Sequence, residues 1–202
     1  GAGQDQPPGP WSPFEQLQRA REVIRAEAAA LYHLSDHLPI GFCDAVDLLF
    51  ECTGAAIVTG VGKAGWIGQK FSASLASTGT PSHFLHPAEA FHGDLGRIGR
   101  QDIVVVFSNS GETDEVIQLL PSLKNFGTPI IAITAKAEST LARHAAAVVH
   151  YGKVEEVCHL GLAPTTSTAL MLGVGDALAL TLSEVREFRA QDFARFHPGG
   201  AL

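Results

Sequence analysis

The apolar positions of the chain follow two different spacings. Between residues 14 and 34, apolar side chains such as Leu17, Val23 and Ile24 recur with the period of an amphipathic helix. Pro39 interrupts this pattern, and residues 42–52 predict a second helix. Beyond residue 54, short apolar runs alternate with helical patterns, which is typical of strands alternating with helices.

The short apolar runs are predicted strands, at residues 55–60, 82–85, 102–107, 129–134 and 146–151. Helices are predicted at residues 64–77, 112–126, 138–146, 163–186 and 190–195. The strands are apolar without alternation, as a parallel sheet covered on both faces requires. We therefore predict a flexible leader at 1–13 and one α/β domain at 14–202. Its expected architecture is a three-layer α/β/α sandwich around a five-stranded parallel sheet, of the flavodoxin- or Rossmann-like kind.

One segment, residues 160–182, is almost uncharged and long enough to span a bilayer. It also contains Pro164, four consecutive hydroxyl residues at 165–168, and Asp176. These features favour a helix inside the core of the domain, and we expect no membrane partner.

Composition narrows the range of partners and the compartment. Hydrophobic residues make up 46% of the 202 residues and charged residues 17%, an ordinary globular balance. The formal charge of −7 argues against nucleic acid as a partner, because nucleic-acid binders carry basic faces. The three cysteines form no C-x-x-C pair, and we interpret them as buried thiols in a reducing, cytoplasmic compartment.

Glycine-rich and polar junctions follow two of the predicted strands, where ligands of open parallel sheets bind. The first, GVGKAG at 60–65, has the form of a dinucleotide-binding turn. Such turns need an acidic residue at the end of the next strand, but this chain has Leu-His-Pro at 85–87. A turn that presents Gly62 and Lys63 to another ligand is the functional interpretation, and a tight turn with a solvated lysine is the alternative.

The second junction, SNSGET at 108–113, offers hydroxyls but no cation. A helix N-terminus binds anions through unpaired N–H groups and a partial positive charge, and Gly111 lets the backbone come close. The junction therefore predicts a site for a phosphate monoester, since a triphosphate would call for a P-loop lysine. Ordinary capping by one hydroxyl is the alternative. The candidate ligands are Ser108, Asn109, Ser110 and Thr113.

A second hydroxyl cluster, at Thr165, Thr166, Ser167 and Thr168, opens the long apolar helix, and its candidate ligands are Thr165, Thr166 and Ser167. Capping alone would explain it. Two such clusters in one domain favour a single polyhydroxylated phosphate ester as ligand.

Longer motifs carry a resemblance to a known family. They are FSASLASTGTPSHFLHPAEAFHGDLG at 71–96, LGLAPTTSTA at 160–169 and DFARFHPGGAL at 192–202. With the two junctions, the chain resembles the sugar isomerase (SIS) domain family over about residues 14–202, with the arabinose-5-phosphate isomerases as the most similar branch. The resemblance implies an aldose–ketose isomerase that interconverts D-ribulose 5-phosphate and D-arabinose 5-phosphate through an enediol, toward the Kdo sugar of lipopolysaccharide. Many members continue past HPGGAL into a pair of CBS domains, so regulation through CBS domains is not carried over.

The resemblance also implies roles for individual residues. It places the family's glutamate at Glu156 and its histidine at His197. We expect Glu156 to transfer the proton, His197 to act in ring opening, and Lys63 and Glu112 to serve positioning and electrostatics. The sequence leaves open which of Glu112 and Glu156 is the base and which serves positioning. Without the resemblance, Glu112 could be an ordinary first-turn glutamate and Glu156 a solvated charge on a loop. His197 could be a surface histidine.

The segment HPAEAFHGD at 86–94 has the composition of a zinc site. Its histidines are six residues apart, which does not give the i, i+4 pair of a helical metal site. Isomerisation through an enediol needs no metal, so we predict neither a metal nor a cofactor. We place His86, His92 and Asp94 on the substrate side instead.

Two other functions stay open from the sequence. One is an isomerase of another phosphosugar, such as a hexulose or heptose phosphate. The other is a regulatory module that binds a sugar phosphate without turnover, although the presence of all four acid–base candidates favours an enzyme. The resemblance implies a homotetramer, a dimer of dimers, in which His197 completes a site built largely by another subunit.

Overall fold

Five parallel strands form the central sheet of the computed structural model, which describes residues 10–197 and residue 199. The strands are β1 (Ala56–Gly60), β2 (Ser82–Phe84), β3 (Ile103–Phe107), β4 (Ile130–Thr134) and β5 (Ala147–His150). Their order across the sheet is β2-β1-β3-β4-β5, and every neighbouring pair is parallel. The predicted five-stranded α/β sheet is confirmed.

Within the described residues, eight α-helices accompany the sheet. They are α1 (Pro13–Asp36), α2 (Gly41–Glu51), α3 (Gly62–Ser77), α4 (Pro87–Ala90), α5 (Asp114–Phe126), α6 (Thr140–His144), α7 (Thr166–Val185) and α8 (Ala190–Phe196). A short 3₁₀ helix occupies Asp94–Arg97. Helix α4 and the 3₁₀ helix lack a predicted counterpart, because they are single turns in a stretch without helical periodicity.

Helix α1 begins at Pro13, the last residue of the predicted leader. Ser12 caps α1 through a capping box with Glu15, and Pro13 is the first helical residue. Residues 1–9 of the predicted leader lie outside the described residues.

The strands divide their side chains between two halves of the core. In β3, Val105 and Phe107 pack on one side of the sheet, while Val104 and Val106 pack on the other. All five residues of β3 are buried, which explains why its sequence shows no polar alternation.

Helix α7 is long and apolar enough to cross a membrane by length and composition. In this structure it packs against α1, α2 and α3, and Leu170, Val174 and Leu178 belong to the core. Close packing is visible at Gly175, where an added Cβ would lie 3.3 Å from the Phe71 ring. Helix α7 is thus a core helix of this domain, as the sequence predicted.

The three cysteines are free, but none of them is fully buried. Cys43 is exposed, and Cys52 and Cys158 are half-buried. The prediction of buried thiols is therefore wrong. Cys43 is exposed because α2 turns Phe42 and Val46 toward the core and leaves its other side to solvent.

Candidate active site

A cavity of about 350 Å³ lies where β1 and β3 end and where α3, α5 and α7 begin. Carboxyl ends of parallel strands lie along one edge of a sheet, so the cavity occupies the position that ligands take in open α/β sheets. Six of the predicted site residues line it: Lys63, Ser108, Asn109, Ser110, Thr113 and Ser167. The two polar junctions and the second hydroxyl cluster therefore meet in one place.

Two helices that begin at the cavity lack the side-chain caps that several other helices of the domain have. Ser12 and Ser139 cap α1 and α6 through their hydroxyls. The N-cap residues of α3 and α5, Val61 and Thr113, make no side-chain hydrogen bond to the helix amides. The amides and positive dipole ends of α3 and α5 are therefore left for an anionic ligand.

The hydroxyls of the SNSGET loop bond to each other and to the loop backbone. Oγ of Ser108 lies 2.8 Å from Oγ1 of Thr113, and Oγ of Ser110 accepts from the Glu112 amide at 3.1 Å. Neither Ser110 nor Thr113 caps α5 with its side chain, so the capping alternative does not explain these residues. The hydroxyl network shapes a polar rim around the start of α5.

Two glycines near the cavity have left-handed backbone conformations. Gly111 has φ +64°, and an added Cβ would collide with Oγ of Ser139, so only glycine fits there. Gly62 has φ +61°, but a Cβ added there would contact no other atom. Glycine is therefore favoured at position 62 only by the backbone conformation. Gly62 is the first residue of α3 and precedes Lys63, although it does not itself line the cavity.

Lys63 is the basic residue of the cavity. It is the second residue of α3, it is exposed, and within residues 10–197 it forms no ion pair. Of the described residues that line the cavity, no other carries a cationic side chain. Lys63 is therefore available to a phosphate oxygen or to an oxyanion that develops during reaction.

Glu156 is held at the N-terminus of α7. Its Oε2 accepts hydrogen bonds from the amide of Thr165 at 2.8 Å, from Oγ1 of Thr165 at 3.2 Å and from the amide of Ser167 at 3.3 Å. Partial burial is the largest single influence on the Glu156 pKa and raises it, but hydrogen bonds from Ser167 and Thr165 together outweigh burial and lower the pKa. The carboxylate is thus kept ionised, as a general base must be.

The second hydroxyl cluster has two tasks. Thr165 binds Glu156, and Oγ1 of Thr166 accepts from the Val157 amide at 3.3 Å. Ser167 contacts both Glu156 and the cavity, because its amide donates to Glu156 and the residue itself lines the cavity. Thr165 and Thr166 therefore hold the loop that carries Glu156, and Ser167 connects that loop to the cavity.

Glu112 lies against a different helix. Its Oε1 accepts from the Thr140 amide at 2.7 Å, at the start of α6. That backbone hydrogen bond is the main reason why the Glu112 pKa is lowered, followed by the Thr140 side chain. Neither glutamate is among the residues that line the cavity. Glu112 is exposed, whereas Glu156 is half-buried and bonded to the amide of Ser167, which lines the cavity, so the geometry favours Glu156 as the base.

The histidine-rich segment after β2 does not join the cavity. His86 is the N-cap of α4, and its Nδ1 accepts from the Ala88 amide at 3.2 Å. His92 is exposed, and Asp94 pairs with Arg97 at 3.3 Å. Among the described residues, no three His, Cys, Asp or Glu side chains are grouped as a metal site would require.

His197 lies far from the cavity of its own chain. Helix α7 starts beside the cavity at Ser167 and runs for 20 residues, about 30 Å. Beyond its end, Phe188 packs on the turn at Gly79, which precedes β2 and therefore lies at the amino ends of the strands, whereas the cavity lies at their carboxyl ends. The Phe196 ring stacks on Phe188, with ring centroids 6.0 Å apart, so the adjacent His197 also lies near the amino ends of the strands.

The His197 ring is nevertheless well fixed. It stacks on Phe193 with ring centroids 3.8 Å apart, and its Nδ1 lies 2.9 Å from the Phe193 carbonyl oxygen. Since Nδ1 is engaged in this contact, Nε2 is the ring nitrogen left for another molecule.

Comparison with known proteins identifies the fold family. The family model described as the SIS domain matches residues 49–181. The chain belongs to the SIS domain family. This match confirms the resemblance that the sequence motifs predicted, and every residue that lines the cavity lies within the matched range.

Relatives of this SIS domain carry more specific names. Arabinose 5-phosphate isomerase KpsF of Escherichia coli is 52% identical over 187 residues, which cover 92% of this chain and 57% of the relative. Arabinose 5-phosphate isomerase KdsD of E. coli K12 is 47% identical over 189 residues, 94% of this chain and 58% of the relative. The SIS domain chain therefore spans less than two thirds of the length of these curated relatives.

A solved structure is also similar to this SIS domain. It is that of the E. coli CFT073 protein c3406 in complex with arabinose 5-phosphate, with a TM-score of 0.90 and 39% identity. The match covers 93% of this chain and all of that chain. The α/β/α fold is confirmed by this similarity.

Three residues at the SIS domain site are not among the predicted ligands, although Thr168 belongs to the predicted hydroxyl cluster. Pro164 and Thr168 line the cavity beside Ser167. The hydroxyl of Tyr151 donates to Oδ1 of Asn109 at 2.8 Å. The position of Tyr151 directly after β5, at one of the five carboxyl strand ends, was the signal that could have found it.

Proposed function

We propose that this SIS domain is an aldose–ketose isomerase that interconverts D-ribulose 5-phosphate and D-arabinose 5-phosphate. The observation that carries the proposal is the cavity at which α3, α5 and α7 begin, with the cation of Lys63 inside it and the ionised Glu156 at its border. The names of the relatives and the arabinose 5-phosphate complex of the similar structure support the choice of substrate.

The phosphate group is proposed to bind at the start of α5. Helix N-termini bind anions through free amides, and the α5 N-terminus has no side-chain cap. Ser108, Ser110 and Thr113 add hydroxyl donors around that point. The phosphate takes no part in the chemistry, but its binding energy holds the reacting carbons in position.

Glu156 is proposed to move the proton between C2 and C1. In open-chain arabinose 5-phosphate it would take the proton from C2, and the electron pair would form the enediolate with its negative charge on the C1 oxygen. Return of the proton to C1, with loss of the O2 proton to O1, yields the ketose. Lys63 is suited to stabilise the oxyanion, because it supplies a cation to the cavity.

His197 is proposed to act in the site of another copy of the chain. Its position near the amino ends of the strands separates it from its own cavity by about the length of α7. An assembly of several copies, predicted as a dimer of dimers, would bring His197 of one copy to the cavity of the next. Its fixed ring would then open the cyclic arabinose form.

The phosphate position leads to a prediction for Ser110. Replacement of Ser110 by alanine should weaken phosphosugar binding by about 1–3 kcal/mol and leave kcat nearly unchanged, because one hydrogen bond to a bound oxygen is lost. Steady-state kinetics would show this as a raised KM. Ser35→Ala on α1, where the hydroxyl donates only to the Tyr32 carbonyl, is the control. An unchanged KM in both Ser108→Ala and Ser110→Ala would disprove the phosphate position.

Turnover is expected to be independent of divalent metal. The reaction needs only acid–base groups, and the histidine-rich segment forms other contacts, with His86 capping α4 and Asp94 paired to Arg97. Activity after treatment with EDTA and removal of the chelator should equal that of the untreated protein. Loss of activity that one divalent ion restores would contradict this expectation and point back to residues 86–94.

A panel of substrates tests the proposed function. The protein would be incubated with ribulose 5-phosphate, fructose 6-phosphate, a 3-hexulose 6-phosphate and sedoheptulose 7-phosphate. Formation of the isomeric sugar phosphate would then be measured. We expect arabinose 5-phosphate from ribulose 5-phosphate at the highest kcat/KM. A higher kcat/KM for a longer ketose phosphate would mean that this ketose, and not ribulose 5-phosphate, is the substrate. Binding of these sugar phosphates without conversion would indicate a sensor instead of an enzyme.

A further inference from the structure

The side chain of Asn109 is fixed by a residue that has no assigned role. Asn109 follows β3 and lines the cavity. The backbone carbonyl oxygen of Asn109 accepts from the Ala135 amide at 3.0 Å and from Oγ1 of Thr134 at 3.3 Å. These two hydrogen bonds connect the Asn109 backbone to the end of β4. Its Oδ1 accepts from the hydroxyl of Tyr151 at 2.8 Å, which ties the side chain to the end of β5.

Tyr151 is well suited to be a permanent donor. Only 7% of the residue is exposed, and its amide donates to the Thr134 carbonyl at 3.1 Å, so that the ring is anchored by its own backbone. Burial raises the Tyr151 pKa, and the nearby charge of Glu156 raises it further. The phenol therefore stays protonated, and its O–H group donates to Oδ1 of Asn109 over the whole working range of pH.

The bond between Tyr151 and Asn109 decides what the amide can offer. A carboxamide has one acceptor oxygen and one NH₂ group with two donors. With Oδ1 turned toward Tyr151, the two N–H donors of the amide are left for a ligand in the cavity. If the amide were rotated by half a turn, it would present its acceptor oxygen to the cavity. An acceptor oxygen would repel an anionic, oxygen-rich ligand.

We propose that Tyr151 is a positioning residue, which orients the Asn109 amide so that its NH₂ group donates to an oxygen atom of the bound phosphosugar. This inference rests on the proposed function. Tyr151 is not proposed to touch the substrate, and it acts only through Asn109.

A double-mutant cycle with arabinose 5-phosphate as the ligand tests this inference. Tyr151→Phe keeps the ring and removes the donor, and we expect the Kd to rise roughly fivefold to tenfold, with a much smaller change in kcat. In an Asn109→Ala background, Tyr151→Phe should have no further effect on the Kd, because the group that it orients is gone. Tyr32→Phe, in which the exposed tyrosine of α1 is changed, is the matched control and should leave Kd and kcat unchanged.

The outcomes of this cycle separate the inference from the proposed function. Equal effects of Tyr151→Phe with and without Asn109 would show that Tyr151 acts by another route, and would overturn the inference. An unchanged Kd with a lowered Tm in Tyr151→Phe would show a merely structural role, with the same consequence. If the wild-type protein bound no phosphosugar at all, the proposed function would fail together with the inference.

Discussion

Replacement of Glu156 by glutamine should lower kcat for isomerisation by about 10²–10⁴-fold, the usual contribution of a positioned acid or base. Glutamine has nearly the same shape and can still accept hydrogen bonds from the amides of Thr165 and Ser167. The loop should therefore stay in place while the base is lost. KM should change little, because Glu156 is not part of the proposed phosphate site.

The neighbouring residue supplies a matched control for this variant. Glu155 is exposed and has the same charge, so Glu155→Gln removes the same charge from the same loop without touching the α7 N-terminus. Glu155→Gln should retain near wild-type kcat. Full activity in Glu156→Gln, together with a large loss in Glu112→Gln, would move the base to Glu112 in spite of its contact with Thr140.

Mixing two inactive variants should restore activity if His197 serves another copy of the chain. Lys63→Ala and His197→Ala are each expected to lose most of their turnover. In a mixed pair of copies, one site would lack both residues and the other would contain both. After subunit exchange at equal amounts, about a quarter of the sites should therefore be intact.

The exchange itself has to be shown independently. Two different affinity tags on the variants would report the fraction of mixed assemblies, and the regained activity should follow that fraction. Confirmed exchange without recovery would contradict sharing, since Lys63 and His197 would then have to act within one chain. A protein that is monomeric by light scattering would contradict it as well.

The sheet and its helices were predictable because their signals are local. The apolar run of β3 predicts a strand buried on both faces, and the polar loop after it lies at the ligand-binding edge of any such sheet. Lys63 and Ser110 were located in this way before any contact was known. Helix ends were less precise, as at α7, because caps depend on three-dimensional partners.

The partners of the charged residues were not predictable from spacing. Glu112 binds the amide of Thr140, which is 28 positions away in the sequence. Tyr151 and Asn109 are 42 positions apart and meet only because β5 and β3 are both neighbours of β4. The remote location of His197 follows from the length of α7, which the sequence predicted, but also from the packing of Phe188, which it did not show.

Hydrogen exchange during turnover tests the central claim most directly. Arabinose 5-phosphate would be incubated with the protein in D₂O, and the C1 and C2 protons of both sugars would be followed by NMR. If Glu156 moves a proton through an enediol, ribulose 5-phosphate should form with deuterium at C1, and recovered arabinose 5-phosphate should gain deuterium at C2. Both signals should vanish in Glu156→Gln and persist in Glu155→Gln. Conversion without any deuterium incorporation would contradict proton transfer by an exchangeable carboxylate, and binding without conversion would contradict the isomerase itself.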